Sequence, residues 1–309
     1  MAKQWYNESR KERFINEVNA TASAKTLFSA SSKFESEAGV DLGGMPPAQV
    51  QRFLNEELGS RQSSLQSMLS WYRSYQNWCA NRGLESPQNT SEIIVDSSIA
   101  KRKTMVESPF HLEEVLNRAF SPVGDNKVDV LYRCYLWMAY AGLEDDDACE
   151  VLSKDVDLDE MCIVYGDKEY PLYRHSYQAM WNAKFLGWMK YVNVNYNDSH
   201  SILDRKQSEY LLRSVKTEKP TPKTLAARIR RVFREKGIEL TYGSVKLSGE
   251  FYRLLRDERI GIAVNFDRMI ADAAQKRGVD LSSQKGITLR RNMMRTLPED
   301  YKAWKRAFE

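Results

Sequence analysis

The stretch that most constrains this chain is Ala141 to Tyr173, AGLEDDDACEVLSKDVDLDEMCIVYGDKEYPLY, which passes from a helix end through an acidic turn into a hairpin. Before it, Val128 to Tyr140 (VDVLYRCYLWMAY) is almost wholly apolar and aromatic. A bilayer span takes about 20 such residues, so this shorter run predicts a buried helix, which Gly142 ends. After the acidic turn, Met161 to Tyr165 and Tyr170 to Tyr173 flank Gly166-Asp167-Lys168-Glu169 and predict a hairpin.

The N-terminal part reads as four helices. Trp5 to Asn19 and Thr26 to Ala38 are amphipathic, and Gly39 to Pro47 breaks the pattern. Ala48 to Leu58 and Ser60 to Arg82 follow, the last closed by Gly83. Four such helices fit a small orthogonal bundle. Glu85 to Glu107 is polar, lacks a sustained apolar face and carries Lys101-Arg102-Lys103, which makes it a linker. Ser108-Pro109 opens a helix with the stripe Leu112, Val115, Leu116 and Phe120, and Gly124-Asp125-Asn126 separates it from the buried helix. Beyond the hairpin the pattern predicts a helix over Tyr177 to Val192, a strand over Ser201 to Leu203, a short helix near Tyr210 to Val215, and helices over Leu225 to Lys236, Tyr242 to Arg256, Phe266 to Arg277 and Leu289 to Phe308. The expected fold is mainly α with a small β-hairpin or sheet, divided into a helical domain 1–84, a basic linker 85–107 and a C-terminal domain 108–309.

Composition narrows the function. No apolar run reaches the length of a span and none follows a basic N-terminal stretch, so a cytosolic setting without membrane partner is expected. Cys79, Cys134, Cys149 and Cys162 have no CxxC spacing, and His111, His175 and His200 are scattered. Reduced, buried thiols and no metal or small-molecule cofactor are the expectation. A net charge of +4 does not by itself mark a nucleic-acid binder. The cations are clustered, however, at Lys101 to Lys103, through Arg228, Arg230, Arg231 and Arg234, and from Arg290 and Arg291 onward.

A helical N-terminal module, a basic linker and a mostly helical C-terminal module with a hairpin together resemble the tyrosine recombinase, or phage integrase, family. The central block carries the resemblance through Ala141-Gly142-Leu143, Asp147, Val151, Asp155-Val156-Asp157 and Tyr170-Pro171-Leu172; later only Leu247 and Phe251 match. The resemblance implies a core-binding-like bundle of SAM-like type followed by a recombinase-like catalytic domain, with double-stranded DNA as partner. It also implies a clamp of two arginines on the scissile phosphate, assisted by lysine and histidine, and a tyrosine nucleophile. Here the first arginine position is Glu144, the histidine and second arginine positions are Val245 and Ser248, and the late histidine or tryptophan position falls near Asn292. Lys168 stands where the family's hairpin lysine is, and Tyr301 where its nucleophile is.

Loss of one transition-state donor costs about 2.7–4 kcal/mol, and a carboxylate facing a phosphate is repulsive. The expectation is a DNA-binding protein of this fold that does not cut by the standard route, a regulator or accessory factor on a phage or mobile element. Lys101, Arg102, Lys103, Lys168, Arg228, Arg230, Arg231, Arg234, Arg290 and Arg291 are its candidate DNA contacts. Two alternatives stand beside it: an active recombinase with Tyr301 as nucleophile, and a protein-interaction scaffold. The amphipathic Leu297 to Phe308 is a candidate for self-association.

Overall fold

The computed structural model describes residues 5–20, 22–58, 62–120, 129–186, 188–192, 200–204, 207–214 and 217–309; the turn expected at Gly124 to Asn126 lies outside them. They form two compact units, one of residues 1–102 with 294–309 and the other of residues 103–293.

In the first unit, α1 (Glu8–Val18), α2 (Ala22–Ala38), α3 (Pro47–Arg52) and α4 (Gln62–Asn81) form the expected bundle. Pro47 begins α3 at a position whose missing N–H costs nothing. The core is aromatic: Phe14 meets Phe28 and Tyr75 edge-on, with ring centres 5.9 and 5.1 Å apart. Inside it Lys11 Nζ donates to Glu35 Oε2 at 2.5 Å, with both side chains fully buried. Ser31 and the backbone N–H of Leu42 also donate to Glu35, so the buried charge is fully hydrogen-bonded.

The stretch expected to be a basic linker contains a helix, α5 (Ser97–Thr104). Its buried positions, Ser97, Ser98 and Ala100, are small or polar, so no apolar period announces it. The last helix, α13 (Gln284–Phe308), is longer than expected and continues through Pro298.

In the second unit Ser108 caps α6 (Pro109–Ala119) by accepting from the His111 N–H. Helix α7 (Asp129–Ala141) is buried along all but its first residue and ends at Gly142, whose φ of 111° only glycine adopts readily. Next come α8 (Asp145–Glu150) and three antiparallel strands, β1 (Val156–Asp157), β2 (Cys162–Tyr165) and β3 (Lys168–Pro171), in the order β1-β2-β3. Tyr165 pairs with Lys168, so the hairpin turn is Gly166-Asp167 alone, two residues shorter than expected. Gly166 at φ 65° leads it, as a type II′ turn requires.

The aromatic run Tyr177 to Val192 is not one helix. Helix α9 (Tyr177–Phe185) stops short, and residues 188–192 form β4, antiparallel to β5 (His200–Asp204). The helix expected near Tyr210 is also absent over 210–214: Tyr210 bridges to Leu152, and Leu211 and Leu212 are fully buried. Thr221 caps α10 (Pro222–Glu235), and Thr241 with Ser244 forms a capping box on α11 (Tyr242–Arg259). Helix α12 (Asp267–Lys276) precedes α13. All four cysteines are free and buried, and among the described residues no helix is long and apolar enough to cross a membrane.

Candidate functional site

A cleft of about 340 Å³ lies where the end of α7, the acidic turn, the hairpin, α11 and α12 meet. The turn places Glu144 just before α8, whose first three residues are Asp145, Asp146 and Asp147, suited to the positive end of a helix. Glu144 takes two lysines, Lys246 of α11 on Oε1 and Lys276 of α12 on Oε2, the latter at 2.9 Å. Lys276 also reaches Asp145 at 3.1 Å. Across the cleft Lys168 donates to Asp272 at 2.8 Å and to Gln275 at 3.0 Å.

Five carboxylates and three lysines line the cleft, a net charge of −2. Burial pushes the Glu144 carboxyl up, but the hydrogen bonds from Lys246 and Lys276 outweigh it and hold the group below the ordinary range. Asp147, without such bonds, is raised by burial and by the negative charges of Glu144 and Asp146. Lys276 is raised to about 12, first by its hydrogen bond to Glu144. Lys168 is raised, first by its bond to Asp272. The three lysines are thus occupied by carboxylates.

Val245 and Ser248 do not face the cleft as polar donors. Both are fully buried, and Ser248 Oγ accepts from the Val106 N–H at 3.1 Å while donating to the Ser244 carbonyl at 2.8 Å. Arg253, one turn beyond on the same helix, donates to the Tyr140 carbonyl at 2.9 Å and pairs with Glu250 at 2.8 Å. It is spent on holding α7. Asn292 is exposed on α13. Tyr301 belongs to the first unit, is 5% exposed and stacks on Trp304 with centres 6.1 Å apart.

The basic clusters differ in availability. Lys101 is paired with Asp300 at 2.9 Å and Arg102 donates to the Ala307 carbonyl at 2.7 Å, both within the first unit; Lys103 is exposed. Arg290 meets Asp267 at 3.3 Å, and Arg291 is exposed. Helix α10 is different. Leu225, Ile229 and Phe233 bury one stripe, and Lys223, Arg228, Arg230, Arg231 and Arg234 fan over the opposite face. Arg231 pairs with Glu235 at 3.1 Å; the other four have no carboxylate partner among the described residues. Sequence reasoning found this face through its period but missed Lys276, Asp272 and Gln275, which no local motif marks.

Residues 5–81 match the family model of the MrpR N-terminal core-binding domain. That bears out, for the N-terminal unit, the resemblance to tyrosine recombinases read from the sequence. Among solved structures, the chain is similar to a XerA recombinase at 15% identity, with a TM-score of 0.37 over 81% of this chain and 83% of that one. It is similar to the Tn1549 transposon integrase in complex with circular intermediate DNA at 12% identity, TM-score 0.36, over 82% and 87%. The integrase from mycobacterium phage Brujita matches at 12% identity, TM-score 0.35, over 81% and 78%. No curated protein matches.

Proposed function

We propose that this chain binds duplex DNA on a tyrosine-recombinase scaffold and does not cut it, acting as a regulator or accessory factor on a phage or other mobile element. The observation that carries the reading is Glu144. The position of the family's first phosphate-gripping arginine holds a carboxylate, and that carboxylate takes up Lys246 and Lys276. A scissile phosphate entering this cleft meets a net negative wall, the reverse of the preorganised positive charge that phosphoryl transfer needs.

DNA affinity resides instead on the open cations of α10. The 14-residue helix is about 21 Å long, and its exposed face offers arginine and lysine. Such a face suits the phosphate backbone, whose contacts position the protein on the duplex. Native gel titration against DNA flanking the chain's own gene, at several salt concentrations, tests the reading. One fragment retained at physiological salt is the expected result; equal, salt-fragile retention of every fragment would favour a scaffold.

A further inference from the structure

Helix α12 is fastened over the cleft mainly by charge. Lys276 on its last turn reaches out to Glu144 and Asp145, and in the opposite sense Asp272 and Gln275 receive Lys168 from the hairpin. Only Ile270 and Ala274 of its residues are buried, with Phe266 at the N-cap and Met269 and Ala273 half-buried. Neighbouring α11, by contrast, buries Val245, Ser248, Gly249, Glu250 and Phe251. Gly261 and Gly278, with φ of 85° and 59°, flank α12, and the connection leading into it leaves Ile260 and Ile262 74% and 53% exposed. Besides the crossed pairs, among the described residues only the exposed Arg290–Asp267 pair at its first turn adds a charged tie.

We propose that α12 is an electrostatic latch: it stays seated while carboxylates hold Lys168 and Lys276, and it loosens when competing anions, the DNA backbone among them, take those lysines. The DNA part rests on the function proposed above. Lys276 and Lys168 side chains are 49% and 36% exposed, so solvent and salt reach their pairs. Duplex DNA presents one phosphate charge per about 1.7 Å of axis, a far denser anion source than dissolved salt. Lys246, only 17% exposed, stays on Glu144 when Lys276 leaves. The Glu144 carboxylate therefore keeps one partner in either state.

Hydrogen exchange on the full chain, read by mass spectrometry over 267–276, tests the latch. In a Lys168→Gln/Lys276→Gln variant at low salt, exchange there should run roughly three- to thirtyfold faster than in the wild type, the range two or three part-exposed pairs give. Raising the salt should bring the wild type towards the same rate, and Lys276→Arg should restore protection. Residues 129–141 and 242–259 serve as the control; if they also lose protection in the double variant, single Lys276→Gln is read instead. Duplex DNA added at low salt should speed exchange of α12 in the wild type. Exchange indifferent to both variant and salt would overturn the latch. DNA that binds but leaves α12 unchanged or slower would overturn its coupling to polyanions. If no DNA binds at all, the proposed function fails while the salt and variant series still decides the latch.

Discussion

Gly249 of α11 lies directly against the carbonyl of Tyr140 in α7, so close that a Cβ at this glycine would stand 1.9 Å from the oxygen. The two helices meet backbone to backbone, and Arg253 ties the same carbonyl from one turn away. Backbone cannot step aside as a side-chain tip can. Gly249→Ala should therefore destabilise the protein by about 1–3 kcal/mol or more, seen as a lower urea midpoint in denaturation. An unchanged midpoint would mean that the helices do not meet at this glycine.

The Lys11–Glu35 pair gives a second test, in the other unit. Lys11→Met leaves a buried carboxylate without its cation, at a cost of about 3–5 kcal/mol. Removing both charges with Lys11→Met/Glu35→Leu should cost less than the single change, although the Leu42 N–H loses its acceptor. A double variant less stable than the single one would contradict the assignment; thermal melts of the three proteins settle the order.

The cleft has a signature in pH. Glu144 is depressed, so its contribution to stability is present above an unfolded value of about 4.3 and is lost as pH falls through the lower folded one. Lys276 is raised, so its contribution is present below an unfolded value of about 10.4 and is lost as pH rises further. That upper limb ends near pH 12, the folded value of Lys276. Between the two limbs the pair is intact. Carboxyl carbon NMR should show Glu144 titrating below the exposed glutamates and moving up in both Lys246→Ala and Lys276→Ala; a Glu144 indifferent to both changes would refute the network.

On α10, the variant Arg228→Ala/Arg230→Ala/Arg234→Ala should weaken DNA binding at every sequence tested. It should also flatten the plot of log affinity against log salt by about 0.9 for each phosphate that is no longer neutralised. Since these side chains point away from Leu225, Ile229 and Phe233, the melting temperature should hold. An unaltered slope would place the DNA surface elsewhere.

What could be read from the residues follows the range of the forces involved. Ser108, Thr221 and Gly142 mark helix ends by local hydrogen bonding and local backbone freedom, and each acts as its type predicts. The stripes of α6 and α10 are legible because a single core face sets a single period. Helix α5 was hidden because what it buries is serine and alanine, and because its lysine and arginine find partners about two hundred residues away. Strand β4 was hidden because its aromatic run suits a helix as well as a strand, and only pairing with residues 200–204 decides. Within the cleft Glu144 was visible as a departure from a motif. That it holds Lys246 and Lys276 was not, since they lie 102 and 132 residues along the chain.

The measurement that tests the central claim most directly is a pair of gels run on one set of samples: the wild type with a nicked duplex from its own flanking DNA, split between a native and a denaturing lane. The account predicts a native shift that survives physiological salt, with no covalent protein–DNA band after denaturation. A covalent band that disappears in Tyr301→Phe would contradict it and identify Tyr301 as a working nucleophile.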